Sequence, residues 1–299
     1  MSGGPGEQAR PVQLRARVVA NEPAAAYRRI TLAAPGAAEV ARPGQFAALA
    51  VGDPPTATLL RRSFSLHRAG LDERHGPVLE IVVADAGPGS AWVTRRRVGD
   101  EVDVIAPLGK PFPEPLGAGP IVLVGGGYGS APLAWFAAQL RSRGRACTVV
   151  VGAGDEARLF GVEEARAAGA DVVVTTDDGS VGVRGRVTDV LPDLLAAGDA
   201  DVYACGPMPM LRAVHHSAAE CGARSWLAVE ESMACGVGIC MTCVLPVRHA
   251  DGVTRMTRTC IDGPTFAGED VRWEAIGAGH GAGSSVPSDA LGAPVPGGH

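Results

Sequence analysis

This sequence has few aromatic side chains, no long apolar run and no excess of basic residues. Aromatics make up 4% of the 299 residues. No run of about 18 apolar residues occurs, so neither a membrane-spanning helix nor a membrane partner is expected. The net charge of −5 argues against a general nucleic-acid-binding protein. Residues 1–13 contain no basic segment followed by an apolar core, so they do not resemble a secretion signal, and we expect a cytoplasmic protein.

Cysteine is present in an uneven pattern, with four of the seven cysteines between positions 235 and 260. An odd number in a cytoplasmic protein argues against a disulfide framework and for metal or cluster ligation. The spacing is Cys235-x4-Cys240-x2-Cys243, followed after sixteen residues by Cys260. This is the plant-type [2Fe–2S] pattern, in which three thiolates of one tight loop and a fourth from another segment hold the cluster.

Two other interpretations of these cysteines stay open at this stage. Zinc also binds four thiolates, which would make the chain a non-enzymatic, zinc-stapled binding module. Structural zinc sites more often use two short Cys-x2-Cys pairs, however, and only Cys240 and Cys243 form one. Buried cysteines without any ligand are the second alternative, and the clustering argues against it. Gly236 and Gly238 favour the cluster, because they allow positive φ angles and bring backbone N–H groups near the sulfurs.

The first part of the chain, residues 10–112, consists of short β-rich runs separated by Gly, Pro and Asp. Several short strands at such spacing are typical of a sandwich or barrel, and we predict a small antiparallel β-barrel. The predicted strands are residues 13–19, 28–32, 45–51, 63–67, 78–83 and 100–105.

Residues 119–228 alternate apolar runs with helical stretches, which predicts a parallel α/β sheet. The predicted strands are 121–124, 146–151, 171–175 and 201–204, and the predicted helices are 131–143, 159–168, 187–196 and 208–220. Residues 229–272 are rich in cysteine and glycine without a long periodic segment, so we expect them to need a metal staple. Residues 273–299 have almost no large apolar side chains, and we expect a disordered tail.

A glycine-rich turn, Gly125-Gly126-Gly127-Tyr128-Gly129, follows the first apolar strand of the α/β region and precedes a helix. Such a turn lets the backbone approach a diphosphate, and the helix N-terminus offers N–H donors. Pro132 stands where the G-x-G-x-x-G fingerprint has its third glycine, so a purely structural turn stays an open alternative.

A second turn, Cys205-Gly206-Pro207, follows another strand of the same predicted sheet. Because ligands of such sheets lie beyond the carboxyl ends of the strands, both turns are assigned to one nicotinamide site. Cys205 is small enough to lie beside a nicotinamide, and an ordinary buried cysteine before a helix is the alternative. Residues 176–180, with the sequence TDDGS, end a strand at the same edge and either line the site or form a polar turn.

The flavin candidate in the barrel region is Arg61-Arg62-Ser63-Phe64-Ser65. Arg62 offers a bidentate guanidinium contact to a diphosphate, Phe64 can cover a ring, and Ser65 can hydrogen-bond the reactive flavin nitrogen. Strict alternation puts the two serines on the opposite face of the strand, so a twist or bulge is needed for all to reach one ligand. An exposed cationic strand end is the alternative. Residues 87–90 open a predicted helix, 91–97, with further donors for the diphosphate.

The predicted cofactors depend on one another chemically. A nicotinamide exchanges two electrons as hydride, whereas a [2Fe–2S] cluster exchanges one electron at a time. A flavin does both, so a nicotinamide site and a cluster in one chain predict a flavin between them. The chain has no remaining region for a substrate-transforming domain, which predicts an external partner.

Together these motifs resemble the electron-transfer subunits of NAD-linked dihydroorotate dehydrogenases, within the ferredoxin–NADP reductase superfamily. The resemblance covers about residues 12–272 in order. The segments that carry it are 59–65, 89–90, 107–109, 125–132, 205–207, 233–243 and 260–266. The last two are the most specific. Ser63 and Ala84 depart from the family pattern, which has proline and arginine there.

The resemblance implies a cofactor set and a set of contacts. FAD is expected to contact Arg62, Ser63, Phe64, Ser65, Val82, Val83, Ala84, Gly89 and Ser90. NAD(H) is expected at Gly125, Gly126, Gly127, Gly129, Cys205, Gly206 and Pro207, and the [2Fe–2S] cluster at Cys235, Cys240, Cys243 and Cys260. Ser65 and Cys205 are the predicted catalytic residues.

The implied partner is an FMN-containing dihydroorotate dehydrogenase catalytic subunit of pyrimidine biosynthesis, in a heterotetramer. The alternative is a related NAD(P)H-dependent flavin and iron–sulfur reductase subunit that serves a hydrogenase, a transhydrogenase or an oxygenase. The choice between NAD and NADP stays open, because Asp155 and Glu156 favour a free ribose hydroxyl while Arg158 favours a phosphate.

Overall fold

The computed structural model describes residues 10–52, 60–229 and 232–276. Its first part contains β1 (Val12–Ala24), β2 (Tyr27–Ala33), β3 (Phe46–Leu49), β4 (Arg62–Asp72), β5 (Gly76–Val83), α1 (Pro88–Thr94) and β6 (Glu101–Leu108). The six strands close into an antiparallel barrel in the order β1-β2-β5-β4-β3-β6, with β6 pairing back onto β1. The barrel prediction is therefore confirmed, with every predicted strand present.

The barrel interior explains why these runs become strands. Side chains that alternate along the strands, such as Val18, Leu32, Leu66, Ile81 and Val104, are at most 1% exposed and form one apolar cluster. Each such buried aliphatic side chain contributes roughly 1.5–3 kcal/mol relative to an exposed one. Period-two burial of this kind is what an antiparallel barrel requires.

The second part of the fold is a mainly parallel sheet. Its elements are β7 (Ile121–Gly126), α2 (Ala131–Ser142), β8 (Thr148–Ala153), α3 (Val162–Ala167), β9 (Asp171–Thr176), β10 (Val183–Arg184), α4 (Leu191–Leu195), β11 (Asp201–Cys205), α5 (Met208–Glu220) and β12 (Arg224–Ala228). Leu123 faces one core together with α2, whereas Val122 and Val124 face the other together with α5. Because β7 is buried on both faces, its residues 121–124 form an uninterrupted apolar run.

The cysteine-containing segment adds β13 (Val244–Arg248), β14 (Thr254–Arg258), α6 (Thr259–Asp262) and β15 (Thr265–Ala267). β13 and β14 form a hairpin, and β15 pairs antiparallel with β12, giving the sheet order β10-β9-β8-β7-β11-β12-β15. No strand was expected here. The segment obtains its core from the neighbouring sheet, because Leu245, Phe266 and Trp273 pack into the same apolar cluster as α5.

Leu59 of the flavin motif and residues 277–299 of the predicted tail lie outside the described residues. The tail prediction is wrong at its start, because Trp273–Ala275 form a short 3-10 helix in which Trp273 is 5% exposed. Within the described ranges, every helix is too short or too polar to span a bilayer.

Candidate functional site

A cavity of about 490 Å³ lies where the barrel, the sheet and the cysteine segment meet. From the barrel it is lined by Phe46, Arg62, Ser63, Phe64, Ser65, Val82, Ala84 and Ser90; from the sheet by Tyr128, Gly129, Cys205 and Gly206; and from the last segment by Ser232, Met233 and Pro264. Its volume lies in the range of ordinary cofactor sites. We refer to it as the flavin cavity.

The flavin motif of β4 lies along this cavity as a whole. Arg62, Ser63, Phe64 and Ser65 all line it, although strict alternation would divide them between two faces. These four residues pair with β3 without a register shift, and the shift of β4 against β5 lies beyond them, between Leu66 and Arg68. A bulge within the motif is therefore not what brings them to one cavity.

The Arg62 side chain packs closely against the start of α1. Its guanidinium donates to the Leu60 carbonyl at 2.9 Å, and a Cβ added to Gly89 would come within 2.7 Å of its Nε. A side chain at position 89 would therefore displace the Arg62 side chain. The Ser90 hydroxyl accepts hydrogen bonds from the backbone N–H groups of Ala86 and Gly87, both at 3.0 Å. Val83, also predicted to contact FAD, is 1% exposed and packs in the barrel core instead.

A second cavity of about 490 Å³ adjoins the first and shares Tyr128 with it. Its lining includes Gly126, Gly127, Gly152, Ala153, Gly154, Arg158, Thr175, Asp177, Arg186, Thr188, Pro207 and Met210. The buried Thr175 hydroxyl at its wall has no hydrogen-bond partner among the described residues. Glycine backbone, an unpartnered hydroxyl and two cations fit a nicotinamide dinucleotide. We refer to it as the dinucleotide cavity.

The two predicted turns contact each other between these cavities. A Cβ on Gly129 would come within 2.7 Å of the Cys205 carbonyl oxygen and of the Gly206 Cα, so the turns approach as closely as backbone allows. Cys205 is 7% exposed and lines the flavin cavity, whereas Pro207 lines the dinucleotide cavity. Gly125 lines neither; a Cβ there would meet that of Ser130 at 2.5 Å.

The barrel and the sheet are held together beside the cavities by aromatic contacts and two hydrogen bonds. His67 of β4 donates from Nδ1 to the Ala131 carbonyl at 2.6 Å, and its ring lies edge-on to Phe160 at 5.4 Å. The Tyr27 hydroxyl donates to the Arg158 carbonyl at 2.9 Å. Burial lowers the pKa of His67, outweighing the hydrogen bond to Ala131, which raises it. His67 is therefore a neutral interdomain contact at neutral pH.

The four clustered cysteines come together as two neighbouring pairs. Cys235 lies within hydrogen-bonding reach of Cys240, and Cys243 of Cys260. Among the residues that the structure describes, no three metal-ligating side chains form a closed group. Gly236 and Gly238 have φ angles of 71° and 80°, as predicted.

The donor chemistry around these thiols fits an iron–sulfur cluster. The Ile239 N–H points to the Cys235 Sγ at 3.4 Å, and the buried Thr259 hydroxyl beside Cys260 lacks a partner among the described residues. Hydrogen bonds from Thr242 and from Cys235 lower the pKa of Cys240 to about 6, whereas burial and the neighbouring Cys243 raise that of Cys260 to about 12. N–H and O–H donors of this kind orient toward sulfur in such sites.

The cysteine segment shares a wall with the flavin cavity. Phe46 lines that cavity and also packs in one apolar cluster with Cys243 and Cys260. Met233 does the same from the other side. Neither residue was predicted as a site residue. In the sequence, Phe46 looks like an ordinary buried aromatic residue of a strand. The position of Met233, two residues before Cys235, could have indicated that it lies at the site.

The fold and the two cavities define a flavin- and nicotinamide-dependent oxidoreductase of the ferredoxin reductase class, extended by a cluster-binding segment. Residues 123–216 match the family model for the oxidoreductase NAD-binding domain. Residues 230–272 match that for the iron–sulfur cluster binding domain of dihydroorotate dehydrogenase B. The chain belongs to the family of dihydroorotate dehydrogenase B (NAD⁺) electron transfer subunits.

The family assignment rests on curated relatives. The subunit from Geobacillus thermodenitrificans is 42% identical over 217 residues, which cover 71% of this chain and 80% of the relative. The subunit from Desulforamulus reducens is 32% identical over 72% of this chain and 81% of its own length. The predicted resemblance is confirmed, and FAD, NAD(H) and a [2Fe–2S] cluster are the cofactors that membership supports.

A solved structure extends the likeness to the fold as a whole. It is described as an NADH-dependent reduced ferredoxin-NADP oxidoreductase studied for flavin-based electron bifurcation. It is 29% identical and superposes with a TM-score of 0.75 over 87% of this chain and 90% of that chain.

Proposed function

We propose that the chain carries electrons between NAD(H) and an FMN-containing dihydroorotate dehydrogenase catalytic subunit in pyrimidine biosynthesis, in a heterotetramer with two subunits of each kind. In this proposal residues 10–112 bind FAD, residues 119–228 bind NAD(H) and residues 229–272 hold the [2Fe–2S] cluster. The family name supports a catalytic partner, and the remaining details are inferred.

One observation carries the proposal: three binding regions share walls in a single row. Tyr128 lies between the dinucleotide and flavin cavities, and Phe46 with Met233 lies between the flavin cavity and the cysteines. This order matches the chemistry, because a flavin, when bound, converts between hydride and single electrons. Contact between neighbouring regions is what stepwise electron transfer requires.

The residues of this chain prepare the hydride-exchanging face. Ser65 is the exposed end of the flavin motif, and its hydroxyl is assigned to hydrogen-bond the flavin ring. Cys205 places a small, largely buried side chain at the junction of the cavities, where a nicotinamide ring needs room. Arg62 faces the same cavity and is assigned to the diphosphate. The close contact of Gly129 with Cys205 fixes the distance between the turns.

The electron exit is assigned to the loop around Cys240. Cys240 is exposed, and its neighbours Ile239 and Met241 are 81% and 52% exposed. Two large apolar side chains that flank an exposed ligand favour docking of a partner there, since their burial on association is favourable. The catalytic subunit is expected to cover this loop.

The test is reconstitution of the chain with a candidate catalytic subunit, followed by measurement of dihydroorotate-dependent NAD⁺ reduction. Cys240→Ser is expected to lower iron content and abolish this activity while FAD stays bound. Cys221→Ser, which changes a cysteine at the C-terminal end of α5 and outside the four clustered positions, is the matched control and should retain both. Full activity of Cys240→Ser with a normal iron content would refute the assignment.

The structural neighbour supports a second candidate. Because the ferredoxin-NADP oxidoreductase structure covers more of this chain than the curated relatives do, a role as a reductase subunit of another multi-flavin complex is the alternative. Co-purification of the native complex distinguishes the two. A partner that reduces NAD⁺ with dihydroorotate supports the first, and a ferredoxin- or NADP-linked partner supports the second.

A further inference from the structure

The dinucleotide cavity extends across the sheet from the flavin to a charged end. Cys205 pairs with Gly125 in register, and Gly126, Gly152 and Thr175 follow in register across β7, β8 and β9. Three strand spacings separate β11 from β9, which is about 14 Å. If the nicotinamide lies at Cys205, as the proposed function requires, then the adenosine ribose lies at the β8 and β9 end.

That end contains one carboxylate and two guanidinium groups. Asp177 follows β9 and is the only acidic residue that lines the cavity within the described ranges, while Arg158 and Arg186 line it as cations. The Asp177 backbone N–H donates to the Ala153 carbonyl at 3.1 Å, which fixes the residue against the end of β8.

The acids that the sequence suggested for ribose recognition do not line the cavity. The Asp155 carboxylate accepts the Arg158 N–H at 3.0 Å and lies 3.6 Å from the Arg158 guanidinium. Neither Asp155 nor Glu156 lines the cavity. Asp178, next to Asp177, does not line it either, and its carboxylate accepts the Ser180 N–H at 2.9 Å.

We propose that Asp177 selects NAD(H) over NADP(H) by accepting the hydroxyl groups of the adenosine ribose and repelling a 2′-phosphate. A carboxylate in this place hydrogen-bonds a free 2′-hydroxyl, whereas an arginine accommodates a 2′-phosphate. The structure contains both kinds of group, so Asp177 decides the outcome against two nearby cations. Specificity of this kind depends on a repulsive element as well as an attractive one.

The experiment uses the purified subunit with its cofactors and measures kcat/KM for NADH- and NADPH-dependent reduction of ferricyanide. The wild-type protein is expected to prefer NADH. Asp177→Asn should lower kcat/KM for NADH by about tenfold and raise that for NADPH, because charge-assisted hydrogen bonds are lost and a repulsion is removed. Asp178→Asn removes the same charge one residue away and should leave the NADH to NADPH ratio unchanged.

A third variant tests the role of the cations. In the Asp177→Asn background, Arg186→Gln should reverse the gain with NADPH, lowering kcat/KM for NADPH more than that for NADH. The inference is overturned if Asp177→Asn keeps the wild-type ratio, if Asp178→Asn shifts the ratio equally, or if the wild type uses both dinucleotides equally well. NADH-dependent activity of the wild type supports the proposed function whatever the variants show. If neither the wild type nor any variant is active with NADH or NADPH, the proposed function itself is refuted.

Discussion

The buried His67 contact predicts a specific dependence of stability on pH. His67 is 4% exposed, and burial lowers its pKa below the ordinary value of 6.5. The unfolded chain therefore binds a proton at His67 in a pH range where the folded protein does not. The contribution of neutral His67 to the free energy of unfolding is fully present above about pH 6.5 and is lost as the pH falls toward the lowered pKa.

The size of this effect follows from the linkage relation. Each pH unit between the two pKa values lowers the free energy of unfolding by about 1.4 kcal/mol. At pH 5.5 the loss is therefore up to about 1.4 kcal/mol relative to pH 7.5. His67→Phe removes the titration and also the hydrogen bond to Ala131, which costs about 0.5–1.5 kcal/mol. The variant should be less stable than the wild type at pH 7.5, and this difference should shrink at pH 5.5.

The assay is urea unfolding followed by tryptophan fluorescence, with excess FAD, at both pH values. Phe160→Leu is the control, because it weakens the packing around His67 but retains the titrating ring and its bond to Ala131. It should lower stability by a similar amount at both pH values. A difference between wild type and His67→Phe that stays constant or widens at pH 5.5 would show that His67 is not the titrating interdomain group.

Three further predictions concern the turns, the sheet and its last strand. Gly129→Ala should lower NADH-dependent flavin reduction in stopped-flow experiments at least tenfold with FAD content unchanged, because its Cβ meets the Cys205 backbone at 2.7 Å; an unchanged rate would contradict this. Asp201→Asn should lower thermal stability at pH 7 by about 1.5–3 kcal/mol, since Asp201 is 1% exposed and accepts Arg224 Nε at 2.8 Å. Burial raises the pKa of Asp201, but hydrogen bonds from Arg224 and from the Gly117 N–H outweigh burial and lower it. The difference in stability between wild type and Asp201→Asn should therefore vanish only as the pH falls below about 4. Phe266→Ala should lower the free energy of unfolding by about 3–5 kcal/mol and should also lower the iron content. A normal iron content would show that packing of β15 is not needed to hold the cluster.

Sequence patterns predicted the barrel, the parallel sheet and the cysteine spacing because each leaves a periodic or spaced signal. β12 and β15 were not predicted, because neither leaves such a signal. β15 has three residues, too few to show a period, and it becomes a strand by pairing with β12. The joint lining of the flavin cavity by Arg62, Ser63, Phe64 and Ser65 likewise depends on how distant segments enclose β4, which no pattern of residue types encodes.

Residues recruited from distant segments were equally invisible in the sequence. Phe46 looks like any buried strand aromatic, and Tyr128 like a side chain within a glycine turn. Their roles depend on three parts of the chain meeting, which is a tertiary property. Asp177 lines the dinucleotide cavity while the Asp155 carboxylate accepts the Arg158 N–H, a difference that only the folded loops reveal.

The attachment of the last segment has a consequence for how the protein matures. The Lys110 N–H donates to the Gly263 carbonyl at 2.6 Å, next to the point where β15 joins β12. Cys260 thus reaches its place between a residue that follows the barrel and the edge of the sheet. The position of Cys260 therefore depends on folding of both larger parts, and a chain interrupted in either of them would leave Cys260 apart from the three cysteines of the loop and open to oxidation.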